Sequence, residues 1–172
     1  MSSIPNEETQ VRVTSEGAQA FVEAFYHALT NSFPLHPFYT TSSKAYNAAP
    51  LPPDISINGT PHPDPASYAK LLSAHGSPRF EVESFDAHSI NPAFNLAAPP
   101  GPTGGASADR NGSKMSLLVQ VTGRVTFGKG RDAVKKGFSE VFVLVPNWEA
   151  MARNAPRNLR RWVILSQNLR TL

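Results

Sequence analysis

The sequence contains no cysteine. Disulfides, a thiolate nucleophile and a Cys-ligated metal are therefore excluded, and a reducing compartment is allowed. No apolar run reaches the roughly 18 residues expected of a membrane-spanning helix. Met1–Arg12 is polar and carries Glu7 and Glu8, which does not read as a secretory leader. Acidic residues are scarce late in the chain. Residues 110–172 hold only Asp132, Glu140 and Glu149 against twelve Lys and Arg, whereas residues 1–109 hold ten acids against four. Such asymmetry speaks to partners rather than to fold. The histidines at 27, 36, 62, 75 and 88 lack ligand spacing on a helix, so no structural metal is expected. Gly128-Lys-Gly130 lacks the strand–loop–helix context of a phosphate loop and reads as a turn. Asn58-Gly-Thr60 and Asn111-Gly-Ser113 match the glycosylation pattern; both also read as turns.

What is present is a chain of 172 residues, enough for one domain with a real core. Its clearest pattern lies near the C-terminus. Along residues 116–127, Leu117, Val119, Val121, Val125 and Phe127 fall on one face and Gln120, Thr122, Arg124 and Thr126 on the other, which predicts a strand of period two. Residues 137–145 put Phe138, Phe142 and Leu144 on one parity and Val141, Val143 and Val145 on the other, so both faces need cover. A third run begins at Arg161-Trp162; its alternation predicts Val163, Leu165 and Leu169 inward and Ile164, Ser166 and Asn168 outward.

Upstream, residues 1–13 read as a flexible arm. Thr14 or Ser15 caps a helix whose apolar stripe is Ala18, Phe21, Val22, Phe25, Ala28 and Leu29. Phe33, Leu35, Phe38 and Tyr39 follow as a short element carrying aromatics to the core. Ile57-Asn58-Gly59-Thr60 predicts a tight hairpin, because both turn positions want positive φ. Asp64-Pro65 starts a helix that Gly76 ends. Phe80 and Val82 stand out of phase with Phe85 and Ala87, which predicts a β-bulge near Ser84. Residues 92–114, rich in Pro and Gly, read as a mobile insertion. The remainder, 14–172, reads as a single α+β domain: a bent antiparallel sheet with helices packed on one face.

Taken in order, these motifs resemble the nuclear transport factor 2-like (NTF2-like) family. Phe21-Val-x-x-Phe25-Tyr26-x-x-Leu29 resembles its first helix and Phe38-Tyr39 its short second one. Ile57-Asn58-Gly59 resembles its aromatic-Asn-Gly turn with Ile in the aromatic place. The strands at 119–125, 137–144 and 162–170 resemble its last three. The Pro-rich insertion and the basic 146–161 connection are most similar to the Mtr2 family, the small subunits of fungal Mex67–Mtr2 mRNA export receptors. That resemblance implies a heterodimer with a Mex67-like large export subunit, sheet to sheet, with phenylalanine-glycine nucleoporins and RNA cargo as further partners. It implies residence at the nucleus and nuclear pore complex with shuttling to the cytoplasm, and it implies no cofactor, no membrane and no small-molecule substrate.

For the partner face the expected residues are Gln120, Thr122, Arg124, Val141, Val143, Ile164, Ser166, Asn168 and Arg170. For RNA phosphates they are Lys129, Arg131, Lys135 and Lys136 on one turn and Arg153, Arg157, Arg160 and Arg161 on another, the two merging if they share one end of the sheet. The same fold also hosts enzymes and small-ligand binders that use the cone pocket. Asp86 and His88 share one strand face and are the candidate acid–histidine pair for such chemistry. The alternating strands otherwise supply packing rather than converging polar groups, so the expectation is a non-catalytic protein with Asp86 and His88 as a surface pair.

Overall fold

The structure, a computed structural model, describes residues 4–100 and 107–172. Met1–Ser3 of the expected arm and 101–106 of the expected insertion lie outside the described residues.

Helix α1 spans Glu7–Thr30. It starts seven residues before the expected cap, and this corrects the reading of 1–13 as an arm. Asn6 accepts a hydrogen bond from the Thr9 amide at 2.8 Å, and Glu7 and Glu8 sit in the first turn, where the helix dipole favours negative charge. Val13 is buried; a Cβ on Gly112 would lie 2.9 Å from its Cγ1, so the early turns pack on the end of the insertion. Two 3-10 turns (His36–Phe38 and Thr40–Ser42) lead to the short helix α2 (Lys44–Ala48). The hairpin β1 (Asp54–Ile57) and β2 (Thr60–His62) turns through Asn58 and Gly59, both at positive φ. Helix α3 (Pro65–Ala74) is capped by Asp64 with Pro65 at its first position, as the sequence predicts.

The sheet is completed by β3 (Arg79–Asn91), β4 (Ser116–Phe127), β5 (Val134–Pro146) and β6 (Trp162–Thr171). Strand order is β2-β1-β6-β5-β4-β3. Every pair is antiparallel except β1 with β6, which runs parallel. The sheet is thus mixed rather than purely antiparallel. The expected bulge is present: register shifts between Val82 and Ser84. Opposite it stands Gly123, where a Cβ would lie 2.0 Å from the Glu81 carbonyl oxygen; only glycine admits the bulged backbone so close.

Helices α1 and α3 cover one face. Phe21, Phe25, Tyr26, Tyr68, Val119, Val121, Phe138 and Phe142 are among the buried residues of that main core. A second, smaller core sits on the opposite face at one end, where Tyr46, Phe94, Val145, Trp148 and Val163 pack together. The helices α1 and α3 lie on one face, as expected; the short α2 and the 3-10 turn Trp148–Met151 add to this second core. The described flanks of 92–114 join it too. Phe94 stacks on Trp148 with ring centroids 6.4 Å apart, the Trp148 indole donates to the Leu96 carbonyl at 3.0 Å, and Ala108 is buried. Averaging composition over a segment hides one aromatic that anchors it.

Strand β6 also departs from expectation. Val143 pairs with Ser166 but Leu144 pairs with Ile164, which leaves Leu165 as an extra residue. Parity reverses across this bulge. Trp162 and Ile164 enter the main core before it, and Gln167 and Leu169 point the same way after it. Val163 and Leu165 turn to the second core instead. Ile164, expected outward, is wholly buried.

Candidate partner face and filled cone

The uncovered part of the sheet is built from cross-strand rows. Asp86, Gln120, Val141, Asn168 and Ser56 align across five strands, and His88, Leu118, Val143, Ser166 and Asp54 form the next row. Thr122, Ser139 and Arg170 continue beside them. Alternation on β4 and β5 sends these side chains away from α1. Gln120, Thr122, Arg124, Asn168 and Arg170 are exposed, and Val141, Val143 and Ser166 are half-buried. Of the nine residues expected on this face, eight lie on its outer side; Ile164 does not. Leu118, Leu165, Asp54 and Ser56 were missed. Leu118 shares the parity of Gln120 and was legible from it. Leu165 needed the bulge, and the β1 residues needed the parallel pairing with β6.

Arg124 is not waiting for a charge. Its Nε donates to Glu83 Oε1 at 2.9 Å, with both side chains more than half exposed. Glu83 is the residue extruded by the β3 bulge. A partner acid at Arg124 would exchange one solvated pair for another, a change of small energy.

The cone behind Phe25 and Tyr26 is filled. Phe21, Phe25, Phe38 and Phe142 meet with ring centroids 4.9 to 6.5 Å apart. Among the rings lies one closed polar chain. Tyr26 donates its hydroxyl to Glu140 Oε1 at 2.5 Å, Gln167 donates Nε2 to Glu140 Oε2 at 2.7 Å, and Tyr39 donates to Gln167 Oε1 at 2.5 Å. Burial pushes the Glu140 carboxyl up to about 7, while the hydrogen bonds from Gln167 and Tyr26 oppose the shift. Burial, with Glu140 nearby, holds the Tyr26, Tyr39 and Tyr68 phenols well above their ordinary value. All of these side chains are buried. The chain joins α1, the first 3-10 turn, β5 and β6, which is a structural task. A pocket of about 550 Å³ remains at the cone mouth, between α3 and the β1–β2 hairpin, with Tyr68 on its wall.

Asp86 and His88 sit 3.2 Å apart on the outer side of β3, both more than two-thirds exposed; they are a surface pair outside the cone. Among the described residues, no group of His, Cys, Asp and Glu is placed to hold a metal ion, and no helix is long and apolar enough to cross a membrane.

The basic residues do not form one patch. Lys129 and Arg131 lie on the β4–β5 turn and Lys135 and Lys136 on the start of β5; Arg153, Arg157, Arg160 and Arg161 lie beyond its far end. Consecutive antiparallel strands put successive connections at opposite ends, here separated by a strand of roughly 40 Å. The clusters also differ in freedom. Lys135 pairs with Glu81 at 3.5 Å. The Arg160 guanidinium lies over the Phe38 ring at 4.0 Å, and that of Arg161 lies over the Trp162 ring at 4.7 Å and donates to Ser113 at 3.3 Å. Partial desolvation lowers the pKa of both arginines. Stacking on rings makes them part of the fold as well as of the surface charge.

No family model matches the sequence, and no curated protein matches it. Solved structures do. A chain from the complex of a Sac3N peptide bound to Mex67:Mtr2 is 29% identical with a TM-score of 0.81, over 92% of this chain and 99% of that one. A chain from the complex of the Chaetomium thermophilum Mex67 NTF2-like domain with Mtr2 is 28% identical with a TM-score of 0.79, over 92% of this chain and 98% of that one. The structure of Mtr2 is 26% identical with a TM-score of 0.77, over 92% of this chain and 99% of that one. Nuclear transport factor 2 from Cryptosporidium parvum, 16% identical with a TM-score of 0.54 over 93% of this chain and 95% of that one, shares the fold alone. The chain is thus NTF2-like in fold and similar to Mtr2 along most of its length.

Proposed function

We propose that this chain is the non-catalytic small subunit of a heterodimeric nuclear mRNA export receptor and pairs with the NTF2-like domain of a Mex67-like large subunit. The observation that carries the reading is the similarity, across 92% of the chain, to chains of Mex67:Mtr2 structures. The outer sheet face supports it. Five strands present a flat surface of mixed Val, Leu and small polar side chains, while both long helices sit behind. The second core covers one end, so the partner would sit over Gln120, Thr122, Val141, Val143, Ser166 and Asn168, with Arg124 and Arg170 toward the other end. A specific contact there buries roughly 1,200–2,000 Å² in total.

The finer parts of the proposal are passage through the pore on phenylalanine-glycine nucleoporins, shuttling between nucleus and cytoplasm, and RNA cargo held by phosphates. The cationic ends of the sheet support the last. Lys129, Arg131 and Lys136 at one end and Arg153 and Arg157 at the other make no ion pair among the described residues, which leaves them available to phosphates.

The test is co-purification with the NTF2-like domain of the large subunit. Val141→Glu would bury an unpaired charge in the complex, at a cost of several kcal/mol, while in the free chain this half-buried position keeps contact with water; Val143 packs against the second core and is left unchanged. We expect loss of the partner with the free chain still folded by circular dichroism. Co-purification at wild-type yield would place the interface elsewhere.

A further inference from the structure

The sheet has a free edge that the proposed partner face does not use. β3 is last in the strand order, and its middle, residues 84–89, runs regularly against β4 between two bulges. Ala87 turns its amide outward; the N–H is taken only by the Oδ1 of neighbouring Asp86, at 2.9 Å on an exposed site. In an antiparallel ladder outward residues alternate, so Phe85 and Ser89 also present their backbone groups to the outside. Their side chains lie on the helix side, opposite Val121 and Leu117. There the first turns of α1 stand off from β3 and leave a groove of about 480 Å³. Its apolar wall is not covered: Phe85 is 39% and Val11 66% exposed. Thr14, at its base, is buried with a hydroxyl that has no hydrogen-bond partner. Glu7 and Asp86 flank the opening.

We propose that this edge docks an extended peptide segment of another protein, added as a further strand on β3, with apolar and basic side chains in alternation. Outward N–H and C=O groups at Phe85, Ala87 and Ser89 supply the ladder, as in strand addition generally. One side of the added strand would lay its apolar residues on Phe85 and Val11. The other side would carry its cations past Asp86, with Glu7 at the rim. The inference stands on the edge and its groove and does not rest on the heterodimer reading.

The test uses the full chain, a synthetic peptide alternating lysine and valine, and the same peptide with glutamate for lysine. The lysine peptide is expected to slow amide exchange at Phe85, Ala87 and Ser89 and to bind about tenfold more tightly than the glutamate peptide. Ala87→Pro removes an outward N–H and no ladder bond, which an edge strand tolerates; it is expected to weaken binding about three- to tenfold. Asp86→Asn should reduce the preference for lysine. Protection at other amides, equal binding of both peptides, or dimerisation through β3 by light scattering and exchange would each overturn the proposal. Should Ala87→Pro fail to fold, the exchange pattern of the wild-type chain decides alone.

Discussion

Gln167 reaches Glu140 across the middle of the sheet, donating its Nε2 at 2.7 Å with both side chains buried. The contact depends on the extra residue at Leu165. Ile164 points into the core, so unbroken alternation would have sent Gln167 to the outer face; the bulge turns it inward. A single irregularity therefore supplies the second donor to a buried carboxyl whose other oxygen accepts from Tyr26.

Glu140 should make stability depend on pH. Its folded pKa is raised from 4.5 to about 7. The unfolded chain ionises first, so the stabilisation from Glu140 is full below about pH 4.5 and is lost as pH climbs towards 7. Relative to Glu140→Gln, the wild-type chain should lose stability steadily across that window, on the order of a few kcal/mol in all. Urea titrations of both proteins between pH 4 and 8 measure the difference. A gap that stays constant with pH would show that Glu140 does not titrate there.

Ile164 should behave as core and not as interface. Ile164→Ala is expected to cost the free chain about 3 kcal/mol, because a wholly buried side chain leaves a cavity. Ser166→Ala, on the outer side of the bulge, should change the free chain by less than about 0.5 kcal/mol. Thermal unfolding of the chain without its partner separates the two. Similar small losses for both would return Ile164 to the outer face.

The two cationic ends should act independently if they hold RNA. Lys129→Glu with Arg131→Glu, and Arg153→Glu with Arg157→Glu, should each lower affinity. Each should also flatten the dependence of log affinity on log salt, by roughly 0.7 of slope for every phosphate of a single strand that is no longer neutralised. Because a strand of roughly 40 Å separates the ends, the two effects should add. A combined variant no weaker than either pair alone would mean that only one end touches RNA. Arg160 and Arg161 are poor choices for this experiment, since removing them also strips a guanidinium from Phe38 and from Trp162.

By itself the sequence determined whatever depends on neighbours along the chain. Alternation set the inner and outer residues of β4 and β5, Asp64-Pro65 set the start of α3, Asn58-Gly59 set the hairpin, and the phase break near Ser84 set the first bulge. The cap at Asn6 was legible too, since Thr9 stands three residues on with Glu7 and Glu8 between, but the polar composition of the segment obscured it. Tertiary structure alone decided the rest. Parity along β6 changes at Leu165 because Val163 and Leu165 are drawn to the second core while Leu169 belongs to the first, and no local pattern records two cores on opposite faces. β1 lies parallel to β6 although more than a hundred residues separate Ile57 from Leu169, a pairing that leaves no mark on either strand. Glu140 reads as one polar residue in an apolar run; it becomes a buried, satisfied group only where Tyr26 and Gln167, remote in sequence, converge on it. The two basic turns look alike as strings of Lys and Arg, and it is the antiparallel order of β4, β5 and β6 that sends them to opposite ends of the sheet.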